Sequence, residues 1–129
     1  MKIYLVVREF YNTDSCDYIT KVTPCLTENA AKRKLRESIE DELMTILHDY
    51  DCKVSYEDLI NGGCFRYDEE EKHYKLLKDN SAHLYVDFEI RYGSNSFEYH
   101  GHGTNSCMRI EEKFVEEQPT PSTAFCGRA

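Results

Sequence analysis

The chain has 129 residues and a net charge of −8, from 16 Lys and Arg against 24 Asp and Glu, with 40% hydrophobic residues. That length suits one domain with a core of its own, and the balance of apolar and charged residues excludes a disordered chain. No apolar run reaches the length of a membrane span, and the acidic surplus disfavours direct binding to nucleic acid, whose phosphates it repels.

Residues 2–11, KIYLVVREFY, are rich in β-branched and aromatic types and predict a first strand. Ile3, Leu5 and Val7 fall on one face, and Tyr4, Val6 and Phe10 on the other, so this strand belongs inside a sheet. Asn12 to Asp14 read as a turn. Residues 16–23 return as a second strand, which gives an N-terminal hairpin. The start lacks a signal-peptide pattern, because its short apolar run leads straight into charge. A cytoplasmic location is the expectation.

A long helix follows, from Thr27 to about Tyr50. Thr27 is the expected N-cap, with a hydroxyl for an unpaired first-turn N–H, and Glu28 suits the positive end of the dipole. Apolar residues recur at Ala31, Leu35, Ile39, Leu43, Ile46, Leu47 and Tyr50, in steps of three and four that make one stripe. At about 1.5 Å per residue the helix is long enough to cross a small sheet. It is marginal alone and needs a partner for its stripe.

Beyond a break at Asp51 to Lys53, Ser55 and Asp58 have capping-box spacing and predict a short helical turn, stopped by Asn61-Gly62-Gly63. Cys64 to Tyr67 and His73 to Lys78 read as two short strands joined by an acidic connection. Residues 83–92 are predicted as the most regular strand. There Leu84, Val86, Phe88, Ile90 and Tyr92 alternate with Tyr85, Asp87, Glu89 and Arg91. Ser96 to His100 form a short extended piece, and residues 106–115 the last strand. The expected fold is α+β, an antiparallel sheet of five or six strands with the helix packed on one face. Residues 1–117 form the domain, and 118–129 are expected to be a flexible tail.

The candidate chemistry is sparse. His100, His102 and Cys107 supply three metal ligands of the right softness for zinc, which wants a fourth ligand or water. His102-Gly103-Thr104 matches half of a two-histidine phosphoesterase signature, but a second motif is missing. There is no phosphate-binding glycine loop before a helix and no Gly-x-Ser-x-Gly. Six cysteines without Cys-x-x-Cys spacing read as reduced thiols. No cofactor is called for, and the expectation is a protein without catalytic activity.

Binding is the better reading. Ten Tyr, six Phe and no Trp give a surface suited to interfaces. Glu40 and Asp41 on the helix, and Tyr85, Asp87 and Glu89 on the regular strand, place acids and aromatics at spacings that can imitate a nucleic-acid backbone beside stacked bases. The expected partner is a basic protein. Self-association through an exposed sheet edge, giving a homodimer, is the other binding mode to weigh.

The opening Met1 to Val7, together with Thr27-Glu28-Asn29-Ala30 at the helix start, resembles small uncharacterised proteins encoded by phages and mobile elements of gut bacteria. The resemblance covers about the first 50 residues, extends in part to the Ser96–Glu117 segment, and transfers no catalytic residue. It implies a place among inhibitors of host defence, of the anti-CRISPR kind. Such a protein would block the basic nucleic-acid groove of a nucleic-acid-guided nuclease.

Overall fold

A computed structural model describes residues 1–78 and 85–116. The expected tail, 118–129, and the first two residues of the predicted strand 83–92 lie outside the described residues. The elements are β1 (Lys2–Asn12), β2 (Asp17–Cys25), α1 (Glu28–Asp49), α2 (Tyr56–Asn61), β3 (Gly63–Asp68), β4 (His73–Leu76), β5 (Phe88–Gly93), β6 (Ser96–His100) and β7 (Thr104–Phe114). The strands form one antiparallel sheet in the order β2-β1-β7-β6-β5-β3-β4. Among the described residues it has seven strands where five or six were expected, because both short segments after α2 and the extended piece at 96–100 all join the ladder.

Sequence chemistry accounts for the ends of both helices. The Thr27 hydroxyl accepts from the Ala30 N–H at 3.1 Å, which caps α1. The helix stops without glycine. Asp51 and Cys52 take left-handed backbone angles (φ 53° and 58°), and the Cys52 N–H closes on the Leu47 carbonyl at 2.8 Å. The Ser55 cap of α2 is a longer contact, 3.4 Å to the Asp58 N–H. Gly62 ends α2 at φ +77°.

Of the predicted strand 83–92, residues 85–87 are not in the ladder, and the strand runs Phe88–Gly93. Alternation does continue upstream, but it reports which face a residue shares and not whether a neighbouring strand is available. At Asp87 the neighbour is engaged differently: its N–H donates to the Phe65 carbonyl at 2.8 Å, and its carboxylate accepts from the Tyr67 N–H at 2.6 Å. The Tyr67 N–H, which would extend the ladder, is thus taken by the Asp87 side chain.

β1 is interior, as expected, and pairs with β2 on one side and β7 on the other. Helix α1 lies across the face carrying Val6, Met108, Phe97, Tyr99, Ile90 and Phe65, and contributes Ala31, Leu35, Leu43 and Ile46 to the same core. Phe65 and Phe88 stack at 4.6 Å between centroids, and Tyr50 of the α1 C-cap stacks on Phe88 at 4.5 Å. The Tyr50 and Tyr99 hydroxyls bond at 2.8 Å, which ties the end of the helix to β6.

Among the described residues no helix covers the opposite face. Val7 is nevertheless only 3% exposed there. In register it sits between Val22 and Arg109, and Arg109 is held by Glu9 and Glu111, each at 2.7 Å. Those two carboxylates raise the Arg109 pKa further above its ordinary value. Among the described residues no helix is long and apolar enough to cross a membrane.

Candidate functional site

The outer face of α1 is built by the same period that buries its inner face. Residues 37, 40, 41 and 44 follow one another in steps of three, one and three, so Glu37, Glu40, Asp41 and Met44 share a stripe turned away from the sheet. All four are exposed, and Met44 shows 54% of its surface. Among the described residues, the α1 side chains in salt bridges are Glu28 with Lys32 at 3.4 Å and Glu42 with Arg8 at 4.0 Å. Glu37, Glu40 and Asp41 therefore present carboxylates without an ion-pair partner there.

The helix has a second electrostatic feature. Its basic residues Lys32, Arg33, Lys34 and Arg36 stand in the front half, and acids follow to Asp49 in the last turn. A carboxylate at the negative end of the macrodipole is unfavourable, by about 0.3–1 kcal/mol at a surface site. This distribution does not optimise helix stability.

The expected partner-binding residues do not form one surface. Glu40 and Asp41 lie on α1, on the covered side of the sheet. Glu89 lies on the open side, because its neighbour Ile90 is buried in the core, and it pairs with Arg91 at 3.1 Å. Asp87 is mostly buried and holds the Tyr67 N–H. Tyr85 is exposed, and its hydroxyl donates to Asp87, which raises the Tyr85 pKa above the ordinary tyrosine value. The acid-and-aromatic strand surface expected at Tyr85, Asp87 and Glu89 is thus replaced by internal hydrogen bonds and a local ion pair.

The three expected metal ligands are not assembled either. His100 and Cys107 border one small depression, where His100 Nε2 lies 3.1 Å from Glu98. His102 stands in the β6–β7 turn, 70% exposed at its side chain, with Asp87 at 3.7 Å. Residues i and i+2 share a face only while the strand continues, and β6 ends at His100. Among the described residues no three His, Cys, Asp or Glu side chains are grouped to hold a metal ion.

Five cysteines among the described residues are free. The Cys64 thiol is pushed up by burial, with Glu89 adding to the shift, which is opposite to the change that activates a nucleophile.

Met44 is not among the residues expected to bind a partner, yet helical spacing alone singles it out, since it is apolar and falls off the apolar stripe of α1.

Comparison of the chain with protein-family models, curated proteins and solved structures returns no match.

Proposed function

We propose that this chain is a non-catalytic module that binds a basic protein surface through the outer face of α1. Its most specific form is an inhibitor that occupies the nucleic-acid-binding groove of a nucleic-acid-guided nuclease, as the phage-protein resemblance implies. The observation that carries this reading is Met44, exposed and apolar, among the carboxylates of Glu37, Glu40 and Asp41, which have no ion-pair partner among the described residues. An apolar centre with a charged rim is the usual anatomy of a protein interface, and methionine adapts its shape to a partner. The net charge of −8 favours a basic partner and its fast encounter.

The experiment is a competition assay. A panel of nucleic-acid-guided nucleases is loaded with fluorescent nucleic acid, and the chain is titrated in at low and at moderate salt. Displacement from one nuclease, weakened by salt and by Glu40→Lys with Asp41→Lys, supports the reading. No displacement from any member at low salt, or displacement indifferent to the charge reversal, removes it.

A homodimer is the second reading, favoured by β2. This edge strand of nine residues exposes Tyr18, Ile19 and Val22 by 61%, 51% and 50%. A long exposed edge is a template for a second strand. Sedimentation across a wide concentration range tests it, and a mass fixed at that of one chain excludes it.

A further inference from the structure

A groove of about 550 Å³ opens where α1 and α2 approach the β5–β6 turn. That size is ordinary for a small-molecule pocket. Its floor is one row of α1: Leu35, Ile39 and Leu43 follow in steps of four and line up along the helix. The facing wall is Tyr56 and Ile60, also four apart on α2, together with the Tyr92 ring. Ile60 is 48% exposed and Tyr92 39% exposed, so this wall keeps apolar surface in contact with water. The wall is also fixed. Leu59 is fully buried, and the Tyr92 hydroxyl donates to its carbonyl at 2.9 Å, which ties α2 to β5. The groove is therefore formed in advance, and filling it orders little of the protein.

Charge is distributed unevenly along one edge. Lys32, Arg36 and Glu40 make a second row of α1, in steps of four and all exposed. Lys32 shares its charge with Glu28 at 3.4 Å. Arg36 has no ion-pair partner among the described residues, although the chain as a whole carries −8. Glu40, one turn further on, repels an anion from the other end of the edge. The groove thus offers one guanidinium to one negative charge, and the planar fork of arginine matches a carboxylate. The apolar row from Leu35 to Leu43 spans about 12 Å. An extended carbon chain, advancing about 1.2 Å per bond as a polypeptide backbone does, covers it with about ten carbons. A neutral apolar ligand leaves Arg36 unused, and a short acid leaves Ile60 and Tyr92 bare.

We propose that this groove binds a free medium-chain fatty acid, with its carboxylate on Arg36 and its alkyl chain along Ile39, against Ile60 and Tyr92. The site goes beyond the proposed protein-binding role, and Glu40 borders both surfaces.

The test is titration of the whole chain, with labelled methyl groups, by decanoate under magnetic resonance. Saturable shifts at the Ile39 and Ile60 methyls are expected. Each methylene removed, down to hexanoate, lowers affinity by up to about fourfold. Decanol, which lacks the head charge, binds about tenfold more weakly, the effect of one hydrogen bond to a charged group. Arg36→Gln, checked for an unchanged fold by circular dichroism, loses the same tenfold for decanoate and nothing for decanol. If decanoate gives no saturable shift at millimolar concentration, the proposal fails. Equal affinity for decanol, or for hexanoate, overturns it in favour of a bare apolar surface or a bare anion site. Tighter binding of decylammonium overturns it by placing the head group at Glu40. No nuclease enters this assay, so its outcome is independent of the protein-binding reading.

Discussion

The Glu42 carboxylate stops 4.0 Å from the Arg8 guanidinium, although both side chains are mostly buried. Burial is the larger influence on Glu42 and lifts its pKa above the ordinary carboxylate value. Arg8 opposes the shift, and Asp49 adds to it. A carboxylate with a raised pKa in the folded state costs stability as pH rises from its unfolded value through its folded one. Below the unfolded value both states hold the proton and the cost vanishes. Glu42→Gln is therefore expected to stabilise the protein at pH 7 and to lose that advantage near about pH 3.5, below the ordinary glutamate pKa. Urea denaturation of both proteins at the two pH values reads this directly. A variant less stable than the parent at pH 7 would show that the Arg8 contact outweighs burial.

The aromatic stack is the mechanical centre of the fold. Phe88 is 1% exposed and lies against Phe65, Tyr50, Tyr74 and Tyr99. Phe88→Ala is expected to cost about 3–5 kcal/mol, a large share of a small domain's stability. Thermal melting would show a broad loss of the transition or a greatly lowered midpoint. A cost below about 1 kcal/mol would mean that α1 holds to the sheet elsewhere.

Met44→Ala should behave in the opposite way. Its side chain is largely exposed, so folding stability should change by no more than about 0.5 kcal/mol. Partner binding should fall, because the apolar centre of the proposed interface is gone. Parallel melting and competition measurements separate the two effects, and unchanged competition would remove Met44 from the interface.

Thr27→Ala removes the α1 cap and should cost about 1 kcal/mol. Chemical denaturation gives the value, and Thr27→Ser should restore most of it, since the hydroxyl that accepts from Ala30 is retained.

Gly62 resists replacement for two separate reasons. Its φ of +77° strains any L side chain, and a Cβ there would meet the Ile90 carbonyl and the Tyr92 ring, each at 3.0 Å. Tyr92 itself is anchored by its hydroxyl, which donates to the Leu59 carbonyl at 2.9 Å, and burial pushes its pKa up to about 12. Gly62→Ala should destabilise by more than about 1 kcal/mol. A denaturation midpoint equal to the parent's would mean that the α2–β3 corner rearranges without strain.

Local chemistry made α1 legible in the sequence. The Thr27 cap, the 3.6-residue period and the break at Asp51 all act within a few residues of one another, and the structure places each where that chemistry puts it. The same holds for the hairpin, because β1 carries apolar residues on both faces and must be interior. Strand number and the end of β5 were not legible. Both depend on which backbone groups far along the chain are free to pair, as the Asp87 bonds to Phe65 and Tyr67 show.

The candidate sites divide in the same way. The acids of α1 and the exposed Met44 are fixed by helical spacing, so that surface is determined by sequence alone. The groove between Arg36, Ile60 and Tyr92 draws on three separate elements, brought together where α2 and β5 pack beside α1. The failure of His102 to join His100 and Cys107 has the same origin, since only the tertiary fold decides where β6 turns. Side-chain period is a local property of the backbone, whereas burial and pairing are properties of the neighbours that the whole chain supplies.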